Sequence, residues 1–251
     1  LSLPGDQDRR LLAVDLLTSN LGAEGESPLA AKRALMGRAR RVAGVESGEY
    51  RQARFEVIQT LRGSGEAPEE LVSLAREAVE QSRRGTDSGE KSDSLAILWF
   101  ADLCTGDLAG AEEAAREEVR VCEAYMTPDS IYAPKARARL ARVLMLRGVG
   151  VDEAEALARE SSTKSDLMWG IEDGWSILHH AIWAEAVRLK GDARSARESI
   201  LRRRAGCRRT FVTNGTWDLL AQAVVMANCE MDLGDLAAAA AEVGYAKGAR
   251  A

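Results

Sequence analysis

Leu189-Lys190-Gly191-Asp192-Ala193-Arg194-Ser195-Ala196 decides how the rest of the chain is read. Gly191 closes one run with helical apolar spacing, and Asp192 opens another. Glycine supplies the positive-φ residue that ends a helix, and aspartate caps the next one. Ala196 falls one turn into the second helix, where a small side chain lets two helices approach closely. The same device returns at Gly106-Asp107-Leu108-Ala109-Gly110-Ala111 and at Gly234-Asp235-Leu236-Ala237-Ala238-Ala239, with a looser copy at Gly148-Val149-Gly150 followed by Ala154. The glycines are 42, 43 and 43 residues apart. A fixed period of this length predicts an all-α stack of helical hairpins, an α-solenoid, in which each unit packs only on its neighbours.

Composition agrees. Ala, Leu, Glu and Arg dominate, aromatics are 5% and there are five prolines, which favours helix throughout. Four hairpins are expected, at about 93–126, 130–163, 175–205 and 217–247. In Trp175–Lys190 one apolar stripe is Trp175, Leu178, Ile182, Ala186 and Leu189, and a second is Ile177, Ala181, Ala184 and Val187. The following helix has one stripe, Ala193, Ala196 and Ile200. A helix apolar on two sides is sandwiched and one apolar on one side lies outside, so two layers are expected.

Residues 1–91 read as helices whose pairing is open, and 92–251 as the regular array. The helices there are expected at about Arg9–Leu21, Pro28–Val42, Glu49–Arg62 and Pro68–Arg84. Gly85–Ser92 reads as a flexible boundary loop. Counting the period backwards from Gly106 places turns at Gly63 and Gly22, yet Ser47-Gly48-Glu49-Tyr50-Arg51-Gln52-Ala53 is a good turn out of that phase.

The turn Gly-Asp-x-x-x-Ala, with Leu or Trp eight residues before the Gly and a small residue seven before it, resembles the tetratricopeptide (TPR) pattern. Leu140-Ala141 before Gly148 and Trp183-Ala184 before Gly191 fit; Met226-Ala227 before Gly234 fits apart from Met; Leu98-Trp99 before Gly106 departs from it. The period is longer than the 34 residues usual for TPR. It is similar to the longer variant of kinesin-light-chain-like TPR proteins and actinobacterial regulators, and Met126-Thr127-Pro128-Asp129 is similar to that variant's connection between repeats. A HEAT-like array is the alternative, since its repeat length also fits.

The resemblance implies a right-handed superhelix whose inner helices line a groove for a peptide or protein segment. Carried over by position from each Gly, the groove residues are Asp93, Ala96 and Phe100; Lys135, Ala138 and Arg142; Leu178, Ala181, Glu185 and Arg188; then Val224 and Asn228. Lys135, Arg142 and Arg188 could together hold a carboxylate. The implied function is a non-catalytic interaction module, in the narrower form the sensor or assembly region of a bacterial transcriptional regulator. A self-associating scaffold, a homodimer joined through the Ala-rich edge Leu236–Val243, is the second class. A small-molecule pocket lined by Trp169, Trp175, Trp183 and Trp217 is the third.

Other chemistry finds little support. No phosphate-cradling loop, Gly-x-Ser-x-Gly or His-Glu-x-x-His is present, so no catalytic residue and no cofactor are expected. Cys104, Cys122, Cys207 and Cys229 lack metal-ligand spacing, and no metal is expected. His179 and His180, being adjacent, point about 100° apart on a helix and cannot chelate one ion; one is expected to pack and the other to be exposed. The run Leu201–Arg209 reads as a solvated helix end. The net charge of −5 argues against a nucleic-acid partner. No apolar run is long enough to span a membrane, and the chain reads as cytoplasmic. It begins at Leu1, and a place within a longer protein is expected.

Overall fold

The computed structural model describes residues 27–206 and 216–248. The helix expected at Arg9–Leu21 lies outside these residues, as do Cys207 and the side chain of Trp217. Among the described residues there are eleven helices and no strands: α1 (Pro28–Ala43), α2 (Gly48–Ser64), α3 (Pro68–Arg84), α4 (Ser88–Thr105), α5 (Leu108–Tyr125), α6 (Tyr132–Arg147), α7 (Val151–Trp169), α8 (Gly174–Leu189), α9 (Ala193–Gly206), α10 (Thr216–Asp232) and α11 (Leu236–Gly248). They form two compact units that divide between Asp107 and Leu108. The expected hairpin at 93–126 has one helix in each, and each is described with its own unit.

In the first unit α1 packs on α2 and α3 on α4, both more extensively than α2 on α3. The turn at Ser47 therefore joins a tight pair. Ser47 caps α2 by accepting from the Tyr50 N–H at 3.1 Å, and Tyr50 and Ala53 pack with Ala39 of α1. The core is built from Leu29, Val57, Leu61, Leu71, Leu74 and Ile97, drawn from all four helices. The expected flexible loop shrinks to residues 85–87. Asp87 accepts from the N–H groups of Gly89 and Glu90, and those two orphan donors, once satisfied, let α4 begin at Ser88.

In the second unit each helix packs on the next, and α8 also packs on α6 and α10. Thus α6, α8 and α10 form one continuous layer, with α7, α9 and α11 in the other. The repeat glycines do what their spacing predicts. Gly106 and Gly148 have φ of +78° and +66° and follow the last residues of α4 and α6. At all four turns the residue after the Gly donates five residues back: Asp107 to Asp102, Val149 to Leu144, Asp192 to Val187 and Asp235 to Glu230. This is the Schellman bond that satisfies an orphan carbonyl. Asp192 and Asp235 then cap α9 and α11 through the N–H groups of Ser195 and Ala238, each at 2.9 Å.

The small residues after these turns are closed in. Ala111, Ala154 and Ala196 are 0% exposed and Ala239 is 6% exposed. Ala196 sits among Ala181, Ala184, Ile200, Val225 and Met226. Three added carbons have no room there, so Ala196→Leu is expected to lower stability by about 2 kcal/mol. Urea denaturation checks this, and an unchanged midpoint would mean the helices do not meet at this alanine.

One expected boundary moves. α7 was expected to end at Thr163 and continues to Trp169. Its serines are satisfied by tertiary partners rather than by a turn. Ser161 Oγ donates to the Pro134 carbonyl at 2.7 Å, and Ser165 Oγ bonds His179 Nδ1 at 2.6 Å. The connector is thereby cut to residues 170–173.

Candidate functional site

Each repeat offers the same helical positions to the face of the α6–α8–α10 layer. Arg142, Glu185 and Asn228 occupy one such position, 43 residues apart. Arg142 is exposed and the other two are half-buried. Surrounding protein nevertheless holds the Arg142 guanidinium below its usual pKa by desolvation.

The structure brings Glu185, Arg188 and Asn228 into one network. Arg188 donates Nε and Nη2 to the two carboxylate oxygens of Glu185, both at 2.7 Å, and Nη1 to Asp232 at 2.6 Å. The Asn228 amide donates to Glu185 at 3.4 Å. These bonds, Glu185 first, raise the Arg188 pKa. The Arg188 charge is thus matched inside the protein, and it also ties α8 to α10. Cys229 lies alongside; burial pushes its thiol up to about 11, so it stays protonated and a poor nucleophile.

Lys135 stands elsewhere on the layer. Its Nζ lies 4.2 Å from the Trp175 ring centroid and 5.8 Å from that of Trp169. His179 packs against the same two rings. An aromatic cage of this kind could hold a ligand cation, but here the chain's own ammonium fills it. Trp183 is a separate partner: it packs edge-on to His180, and its Nε1–H donates to Glu155 at 3.2 Å. Asp93 and Phe100 belong to the first unit. Asp93 is exposed, and the Arg62 guanidinium carbon lies 5.0 Å from the half-buried Phe100 ring centroid.

Two expectations fail on burial. Both histidines are buried, not one, because α8 is covered by α7 on one side and by α9 and α10 on others. The Arg run is not simply solvated. Arg203 is buried, donating to Asp166 at 2.6 Å and to the Ile171 carbonyl at 3.0 Å, while Arg204 makes a bidentate pair with Glu242.

A cleft of about 520 Å³ lies between α10 and α11, and its α11 side falls on the Ala-rich edge Leu236–Val243 that the sequence singled out. It is lined by Leu220, Ala223, Val224, Ala227, Asn228, Met231, Leu236, Ala239, Ala240 and Val243. None of these is a tryptophan, so the cleft is not the aromatic pocket the sequence suggested. Its signal was present in part, as the Ala-rich run from Leu236. Among the described residues no three His, Cys, Asp or Glu side chains are grouped to hold a metal ion. No described helix is long and apolar enough to cross a membrane.

No protein-family model matches the chain, and no curated protein matches it. Solved structures do. TPR-like repeats, nearly identical to one another, from Podosopora anserina align over 82% of this chain and 96% of their own, with TM-score 0.64 and 16% identity. BtubC (BKLC) from P. vanneervenii aligns over 95% of this chain and 91% of its own, with TM-score 0.64 and 17% identity. A signal transduction ATPase with numerous domains from Pyrococcus horikoshii, which has a tetratricopeptide repeat sensor, aligns over 97% of this chain but 35% of its own, with TM-score 0.61 and 13% identity. At these identities the likeness is one of fold, and the fold is the TPR-like helical repeat.

Proposed function

We propose that this chain is a non-catalytic interaction module that holds a peptide or protein segment along the face of α6, α8 and α10. The observation that carries the reading is the polar row Arg142, Glu185 and Asn228, at one position on three successive inner helices. Packed helices are about 10 Å apart, and an extended chain advances about 3.3 Å per residue. The row therefore meets roughly every third residue of an extended segment. Asn228 can both donate and accept to a peptide backbone, and Arg142 suits a carboxylate or carbonyl.

Three such bonds contribute about 3 kcal/mol net, well short of the roughly 8 kcal/mol of micromolar binding. Apolar contact must supply the rest, and Leu178 and Val224 flank the row on the same helices. Arg188 is tied to Glu185 and Asp232 and shapes the face, and the exposed Arg142 is the cation of the row that would select an acidic segment. The Pyrococcus protein has its TPR repeats as a sensor, which supports a ligand-reading role here, in the narrower form within a regulator.

Panning a phage-displayed library of random peptides tests this. Sequences carrying Asp or Glu should be enriched, and the selected peptides should bind Arg142→Glu at least about tenfold more weakly, as loss of one charge-assisted bond predicts. Equal binding by Arg142→Glu would overturn the assignment of the face.

A further inference from the structure

Helix α10 is apolar on two opposite sides. Val225, Met226 and Cys229 pack on Ala181 and Ala184 of α8 and on Ala196 and Ile200 of α9. Leu220, Val224 and Met231 point about 180° away at about 100° per residue, and with Leu236, Ala240 and Val243 of α11 they line the cleft. Within the α6–α8–α10 layer, α8 therefore lies on one side of α10 and the cleft on the other. Asn228 belongs to both surfaces. It is the last member of the polar row, and it is the one amide lining the cleft. A segment that crosses α6, α8 and α10 in turn passes Asn228 last and meets the cleft next.

Resting on the interaction-module reading, we infer that the α10–α11 cleft is the anchor site of the same bound segment, and that it takes a large aliphatic side chain, Leu, Ile or Met. The spacing follows from the layer. Arg142 and Asn228 are two helix steps apart, about 20 Å, which an extended chain covers in about six residues. The anchor therefore lies roughly six to eight residues from the acidic residue that Arg142 selects. The chemistry follows from the lining. Its other residues are aliphatic or Ala, with no charge to pair and no ring to stack on. Leu236 is 71% exposed and Val224 and Met231 are each 51% exposed, so the apolar surface is open to the segment. A cleft of about 520 Å³ falls among those of roughly 300–1,000 Å³ that bury a bound group. The row alone falls short of micromolar binding, and burying one large aliphatic side chain is worth about tenfold to a hundredfold in affinity. The segment is thus acidic at the α6 end and aliphatic at the α11 end.

Peptides selected from the random library on the full chain test the inference. They should carry Leu, Ile or Met roughly six to eight residues from the Asp or Glu. Replacing that residue by Ala in a selected peptide should weaken binding to the wild type at least about tenfold. Ala240→Phe fills the cleft from an exposed position on α11, and it should bind the selected peptide at least about tenfold more weakly while distinguishing little between that peptide and its Ala form. Leu236→Gln, at a more exposed position, should weaken binding in the same direction and guards against a folding defect in the first variant. Arg142→Glu should still prefer the aliphatic peptide to its Ala form. Selected peptides without an aliphatic residue at that spacing, or equal binding by Ala240→Phe, overturn the inference and leave the row standing. A dimer in light scattering that Leu236→Gln dissociates also overturns it, since a second copy then fills the cleft. Equal binding by Arg142→Glu overturns the row, and the inference falls with it.

Discussion

Acidification from pH 7 to pH 5 is expected to lower the unfolding free energy by about 4 kcal/mol, about 2 kcal/mol for each buried imidazole. His179 and His180 have pKa values near 3 in the folded chain. Burial is the larger cause for both; the charges of Arg139 and Lys135 add to it at His179, and those of Arg203 and Arg202 at His180. Both rings are therefore neutral in the folded state across this range. The unfolded chain takes up a proton at each below about pH 6.5. It binds more protons than the folded chain between about 6.5 and 3, so stability is lost as pH falls through 6.5, and the loss levels off near 3. At pH 5 the size of the effect is set by the unfolded pKa alone, provided the folded value stays below 5. Aspartates and glutamates held down by basic partners, such as Glu112 and Glu153, add their share below about pH 5. Urea denaturation at the two pH values measures the difference. His180→Phe, which keeps a ring against Trp183 and removes one titration, should halve it. An unchanged pH dependence in that variant would mean His180 is not the group that titrates.

Arg203→Met is expected to destabilise the chain by about 3 kcal/mol, the lower end of the range for breaking a buried ion pair. Asp166 is partly exposed, which places the loss there. The arginine binds one Asp166 oxygen and the Ile171 carbonyl, so it fastens α9 to the turn that follows α7. Its removal strands a carboxylate whose Oδ1 is already buried without a hydrogen-bond partner. Replacing Asp166 by Leu in the same chain removes the stranded charge and should restore most of the loss. Thermal melting of the single and double variants decides between this and a purely steric role, for which the double variant would be worse than the single.

The fold was legible because its turns are local. A positive-φ glycine, a capping aspartate and an alanine one turn later lie within six residues, and their 42–43-residue spacing is visible without any tertiary knowledge. The α8 and α9 stripes were legible for the same reason. What escaped depends on distant partners. The Ser165 hydroxyl finds its partner at His179 Nδ1, 14 residues on. Arg203 is buried because Asp166, 37 residues back, receives it. The pairing of α1 with α2 and α3 with α4 rests on packing that neither the Ser47 nor the Gly63 turn encodes alone. The polar row could be placed by counting from each glycine. That Arg188 serves Asp232, 44 residues away, and Lys135 serves two tryptophans, could not.

The central claim is that the α6–α8–α10 layer is the working surface. Hydrogen–deuterium exchange of the full chain, with and without the tightest peptide selected on it, tests that most directly. The account predicts slowed exchange across α6, α8 and α10 together, with α7 and α9 unchanged. Protection confined to α7 and α9, or to the first unit, would contradict it.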